Sequence, residues 1–272
     1  MEDLVRDLAL GFLGLVFTSG FLQTRAEHAI RREVGAVVRG AHIEARVRPD
    51  GLFGLLTGRA RRVVVLCQGG AADSLSFRSR PGGGTRARAE HLVIEIRGVT
   101  FRGVKVERFH ADVPSVTLDA WRVVFDGRIV LRGAGMGPAE VVLSEGELRG
   151  YLASRFPQLG DVSVSLQPGR ASIGATTLVL GARLTMEATG RLEARDGRYV
   201  RIADGEIWLN GRPLTAEAAR RMLDGLNPVL DTKRDLGLDG FLRLDRVETV
   251  RGAVVGRGTA TVPGPAAPGK DL

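Results

Sequence analysis

From Arg183 to Arg195, apolar and polar residues alternate without a break. Leu184, Met186, Ala188, Gly190, Leu192 and Ala194 hold the even positions, and Arg183, Thr185, Glu187, Thr189, Arg191, Glu193 and Arg195 the odd ones. A period of two puts one face against apolar matter and the other in water. At ~3.3 Å per residue the run extends about 40 Å, roughly twice the usual strand. It predicts an elongated, curved, one-sided sheet. The functional question is then what covers the inner face: a helix, a partner or lipid.

The rest of the chain repeats a helix-then-strands arrangement three times, from Gln23, from Ser144 and from Thr215. Gln23 to Val38 is amphipathic, with Ala26, Ala29, Ile30, Val34, Val37 and Val38 on one side and Arg25, Arg31 and Arg32 on the other. Strands are predicted at Ala41–Arg48, Val63–Cys67, Leu92–Ile96, Val104–Val106, Val116–Leu118, Trp121–Phe125 and Arg128–Leu131, the last two joined by the hairpin signal Asp126-Gly127. Ser144-Glu145-Gly146-Glu147 reads as a capping box opening a helix to about Arg155. Further strands follow at Val162–Leu166, Ala171–Leu180 and Tyr199–Leu209. Thr215 caps a third helix, with Ala219, Met222, Leu223, Leu226 and Leu230 apolar, and a closing hairpin spans Leu238–Val250 and Ala253–Val262. The fold class is α+β: a long, curved, mainly antiparallel sheet wrapped on two or three helices. Residues 23–262 read as one domain with a soft internal boundary near 133–138, after an apolar N-terminal segment, 1–22. The Pro/Gly/Ala tail at 263–272 is expected to be disordered.

Composition narrows the partners. The chain has 272 residues, a net charge of +8 and 44% hydrophobic residues, enough for a proper core. The excess charge is arginine, with lysine only at Lys105, Lys233 and Lys270, and aromatics are 5%, too few for base-stacking platforms. Nucleic acid is set aside, and an anionic membrane surface fits the mild basicity. A single cysteine, Cys67, rules out an intramolecular disulfide. Leu8 to Phe17 is of signal-peptide length, but the acids Glu2, Asp3 and Asp7 precede it. A secretion signal, an uncleaved membrane-associated helix and a packing helix all remain open for it.

Catalytic signatures are absent from the sequence. His28, His42, His91 and His110 form no metal-ligand pair. There is no Gly-x-Ser-x-Gly elbow, and the Pro81-Gly82-Gly83-Gly84 run lacks the Lys-Ser/Thr of a phosphate loop. No enzyme, no metal and no cofactor is the expectation. What remains is apolar. Leu184, Met186, Leu192, Val200, Ile202, Trp208, Leu242 and Leu244 are expected to line one concave face, with Met222, Leu223 and Leu226 on a helix along it. That arrangement is either a closed core or a groove for acyl chains. The turn carrying Phe53, Leu55 and Leu56, followed by Arg59, Arg61 and Arg62, has the apolar tip and basic collar of a headgroup or membrane contact.

Several segments in order complete a resemblance. They are Thr24–Ile30, the Leu52–Leu56 turn with Gly58–Val63, the helix start Val142–Leu148, and Ile207-Trp208-Leu209-Asn210-Gly211 before a helix and hairpin. Together, over residues 20–262, the chain resembles the LmeA-like family of bacterial envelope phospholipid-binding proteins. The resemblance implies a β-rich fold akin to tubular lipid-binding proteins, a cell-envelope location, a phospholipid or similar amphiphile as ligand, no catalysis and no cofactor. The competing readings are an envelope scaffold with a closed core and a protein partner, and a glycolipid-processing enzyme.

Overall fold

A single helix, α1 (Glu2–Val37), takes in both the apolar N-terminal stretch and the amphipathic stretch that the sequence separates. At 1.5 Å per residue it is about 54 Å long. The computed structural model describes residues 2–51, 54, 57–75, 86–120, 122–126, 128–179 and 182–262. The apolar turn with Phe53, Leu55 and Leu56, the Gly-rich run at 81–84 and the tail from 263 lie outside the described residues. Among the described residues no helix is long and apolar enough to cross a membrane.

Hydrogen bonding divides the strands into two sheets that share one connected core. The first comprises β1 (His42–Pro49), β2 (Arg59–Gln68), β3 (Ala71–Ala72), β4 (Arg86–Phe101), β5 (Val104–Asp119), β6 (Leu131–Gly133) and β7 (Met136–Ser144), with β14 (Leu242–Val250) and β15 (Ala253–Thr261). Their order is β1-β2-β4-β5-β7-β15-β14, with β3 beside β4 and β6 beside β5. Apart from β2 and β3, which run parallel to β4, the pairs are antiparallel, and the sheet curls into a half-barrel. The second sheet is β8 (Asp161–Gln167), β9 (Arg170–Val179), β10 (Ala182–Arg195), β11 (Tyr199–Leu209), β12 (Arg212–Pro213) and β13 (Leu230–Asp231), in the order β12-β11-β10-β9-β8 with β13 beside β11. Strand β10 contains the alternating run Arg183–Arg195. Strands β4 and β5 are longer still, at 16 residues each.

Local chemistry explains the helix ends. Ser144 Oγ accepts the Glu147 N–H at 3.3 Å at the start of α2 (Glu145–Arg155), while the Glu147 carboxylate turns to Lys105, 3.3 Å away. Thr215 Oγ1 caps α3 (Ala216–Leu226) through the Ala218 N–H. Helix α3 ends at Leu226, so Leu230 lies in β13. Asn227 precedes Pro228, which disfavours a further helical residue, and its side chain bonds Ile202 N and O in β11 at 2.9 and 3.2 Å.

Two expectations change on the first sheet. Trp121–Phe125 and Arg128–Leu131 do not form a hairpin. Residues Arg122–Asp126 make a π-helical turn instead, because Asp119 Oδ1 accepts the Arg122 N–H at 3.3 Å and Val123 is drawn into the core. Asp119 is itself buried against Arg132, whose guanidinium, by hydrogen bond, holds the carboxyl below the usual aspartate range. Val37, read as part of the inner stripe of α1, is 40% exposed.

The second sheet is pinned by a buried polar cluster. Arg198 grips Asp231 through both oxygens, at 2.6 and 2.5 Å, and Asp235 Oδ2 accepts the Asp231 N–H at 2.7 Å. Burial works against ionising Asp231, but Arg198 and the N–H groups of Arg234 and Lys233 outweigh it and hold its pKa down. Beside it, burial and then the Asp235 carboxylate push the Tyr151 hydroxyl up to about 12.

Candidate functional site

The inner stripe of α1 is Leu22, Ala26, Ile30 and Val34, spaced one turn apart and continued by Val38 just past the helix end, and it lies over the concave face of the half-barrel. Facing it are Val63, Val65 and Cys67 of β2, Ala89, Leu92, Ile94 and Ile96 of β4, and Val116 and Leu118 of β5. Ile129 and Leu131 close the side. Helix and sheet do not fill the space between them. A wholly apolar cavity of ≈ 80 Å³ reaches from Val38, Cys67 and Leu75 to Leu118, and a second of ≈ 90 Å³ continues from it past Ile30, Val63 and Ala89. Close-packed interiors leave few voids larger than a water. The cause here is residue size: Ala26, Gly58, Ala60, Ala87, Ala89 and Ala120 line the second cavity and are too small to bridge from sheet to helix.

The groove has a dry end and a charged end. Among the described residues, the charged ones in its lining are Arg59 and Arg88, directly opposite each other in the β2–β4 pairing, both exposed and each next to an inward-facing alanine, Ala60 and Ala89. At the dry end Cys67 is buried, and burial pushes its thiol up to about 11, so it stays protonated and unreactive at neutral pH. The helix is held over the sheet partly by Glu27, whose Oε1 accepts the N–H of Val47 at 3.0 Å on the edge strand β1. Among the described residues no group of His, Cys, Asp and Glu could hold a metal ion.

The residues predicted from alternation lie elsewhere. Met186, Leu192, Val200, Ile202, Leu223, Leu242 and Leu244 are all buried in the connected core, where the second sheet meets α3 and β14. Leu184 and Leu226 are half-buried, and Met222 is 36% exposed. None of the eleven lines either cavity under α1. Trp208 is on the opposite face, beside Glu187, Thr185 and Arg170. A bulge explains it: the β10–β11 register shifts between Thr189 and Arg191, with Asp204 at φ +50, so Val200 and Ile202 point inward before it and Ile207 after it. Gly205 sits within that bulge under α3, where a Cβ would press on Leu223 Cδ1 at 2.8 Å and come within 3.2 Å of the Thr189 carbonyl oxygen.

Of the predicted basic collar, Arg59 reaches the groove and Arg61 is exposed beside it, whereas Arg62 pairs with Asp112 at 3.5 Å, next to His91. The groove residues on β2, β4 and β5 were readable only as ordinary strands. Their one distinguishing signal is the run of small residues, Ala60, Ala87 and Ala89, facing an amphipathic helix that carries Ala26.

Against this geometry, the family model described as LmeA-like phospholipid-binding matches residues 84–259, which include β4, β5 and the whole second sheet. The matched stretch is narrower than the 20–262 of the sequence resemblance and leaves α1, β1 and β2 outside it. No curated protein and no solved structure matches the chain.

Proposed function

The chain belongs to the LmeA-like phospholipid-binding family, and from that premise we propose that it takes the acyl portion of a phospholipid or similar amphiphile into the groove between α1 and the half-barrel. The observation that carries the reading is the pair of adjoining cavities, apolar along their length, with Arg59 and Arg88 the charged residues of the lining among the described residues. Each methylene moved from water into such a lining contributes roughly 0.8 kcal/mol, while an arginine is a suitable partner for a phosphate. The reading is of binding without catalysis: among the described residues lining the dry end, the titratable group is Cys67, a protonated thiol. A bacterial cell envelope is the proposed setting, following the family resemblance.

Native mass spectrometry of the gently purified chain, followed by extraction and identification of the bound lipid, tests this. A single phospholipid per chain that rebinds after delipidation is the expected result. A clean unliganded mass that does not shift when phospholipid is offered would overturn the reading in favour of a scaffold with a closed core.

A further inference from the structure

The charged end of the groove coincides with one edge of the half-barrel. Strand β1 runs antiparallel to β2, and β4 parallel to it, so the end of β1 and the starts of β2 and β4 lie side by side. That edge carries Arg48, Arg59, Arg61, Arg86 and Arg88, all exposed. Among the described residues none of the five has an ion-pair partner, although two exposed carboxylates, Asp50 and Glu90, lie on the same segments. Elsewhere on this sheet the pattern is different: Arg97 pairs with Glu95, Arg108 with Glu140 at 2.7 Å, and Arg257 with both Glu140 and Glu248.

Two exposed aromatic residues lie on the segments that border the same cavity. Leu22 and Val123 line the cavity that Arg59 and Arg88 also border. Phe21, next to Leu22 in the chain, and Phe125, two residues after Val123, are 56% and 61% exposed, and the Arg25 guanidinium sits 5.2 Å over the Phe21 ring. Arg32 of α1 donates to the Asp126 carbonyl at 3.1 Å, tying the helix to the turn that carries Phe125. Aromatic side chains among unpaired cations suit the interface of an anionic bilayer, where rings settle at headgroup depth and each cation adds to the attraction.

We propose that this edge is a docking face for an anionic bilayer, the arginines meeting lipid phosphates and Phe21 and Phe125 entering the interface, so that the groove opens onto the membrane. The inference rests on the lipid-binding reading and adds to it a partner surface and an orientation, with the headgroup at Arg59 and Arg88 and the acyl chain directed toward Val38 and Cys67.

The test is co-sedimentation of the full chain with phosphatidylcholine vesicles, with and without phosphatidylglycerol, set beside loading of monomeric dihexanoylphosphatidylcholine read by native mass spectrometry. Arg59→Glu with Arg88→Glu is compared with Arg183→Glu with Arg212→Glu, an equal charge change at exposed, unpaired positions of the second sheet. The expected result is that the first pair loses at least about 30-fold in partition to phosphatidylglycerol vesicles, from roughly a fivefold factor for each cation removed, while the second pair keeps it. Arg59→Gln with Arg88→Gln gives the same direction if the reversal fails to fold. Equal losses in both pairs, or wild-type partition in the first, would overturn the docking face. Absence of lipid loading in the wild type would overturn the groove reading separately, since the vesicle comparison does not depend on it.

Discussion

Asp119 shows how one residue holds the rim of the groove. It ends β5, pairs with the half-buried Arg132, and accepts the N–H that starts the turn carrying Val123. Its folded pKa lies below the ordinary value, chiefly through the Arg132 hydrogen bond. The pair's contribution to stability is therefore complete above the ordinary aspartate range, about 3.9, and is lost as pH falls through the lower folded value. Asp119→Asn leaves the Arg132 guanidinium without its counter-charge, so it should destabilise the chain by about 3 kcal/mol at neutral pH. Urea titrations of wild type and variant across pH should show that difference shrinking once the pH drops below the ordinary aspartate value. A gap that stays constant down to the lowest pH would mean that Asp119 acts by packing alone.

At the scale of elements, the sheets are more legible than what lies between them. The alternation at 183–195 appears as β10, the Ser144 and Thr215 caps start α2 and α3, and the strands of the closing hairpin fall in β14 and β15. Periodicity says which residues face inward, but not whether the opposing element fills the space. The inward face of β10 meets β14, and that of β11 meets α3, and both close, while α1, with Ala26 opposite Ala60 and Ala89, leaves a gap. A one-residue slip at the Asp204 bulge is equally invisible to a pattern count, and it alone turns Trp208 outward. If the gap is the site, filling it should separate binding from stability. Ala89 lines both cavities and is 1% exposed, so Ala89→Leu should place its added carbons in the void, change stability by about 1 kcal/mol or less, and weaken phospholipid binding roughly tenfold by displacing two or more methylenes. Calorimetric melting and lipid loading on the same sample check it; unchanged loading would place the ligand elsewhere. The hold of α1 on the edge strand has its own signature: Glu27→Ala removes the acceptor of the Val47 N–H. That change should cost about 1–2 kcal/mol and speed exchange of the Val47 amide.

For the whole molecule, the groove joins two parts of different standing. Its floor, β4 and β5, lies within the matched residues 84–259, whereas its roof, α1, and its side wall, β2, lie before them. A ligand held there must touch both parts and leave the second sheet alone, because that sheet's inward side chains are already packed against α3, β14 and the 231–238 segment. Hydrogen exchange with and without bound phospholipid should therefore be asymmetric. Lipid at a hundredfold excess over Kd adds about 2.7 kcal/mol to global stability, which slows the amides that open only by global unfolding wherever they lie. Amides that exchange through local opening report the site itself. Those of α1, β2 and the 122–126 turn should slow on loading, and the locally exchanging amides of β9, β10 and β11 should not. The opposite distribution, with protection in β10, β11 and α3 and none in α1, would return the ligand to the face built on Leu184, Met186 and Leu192. It would then require the closed core around Leu223 and Leu244 to open for every lipid bound.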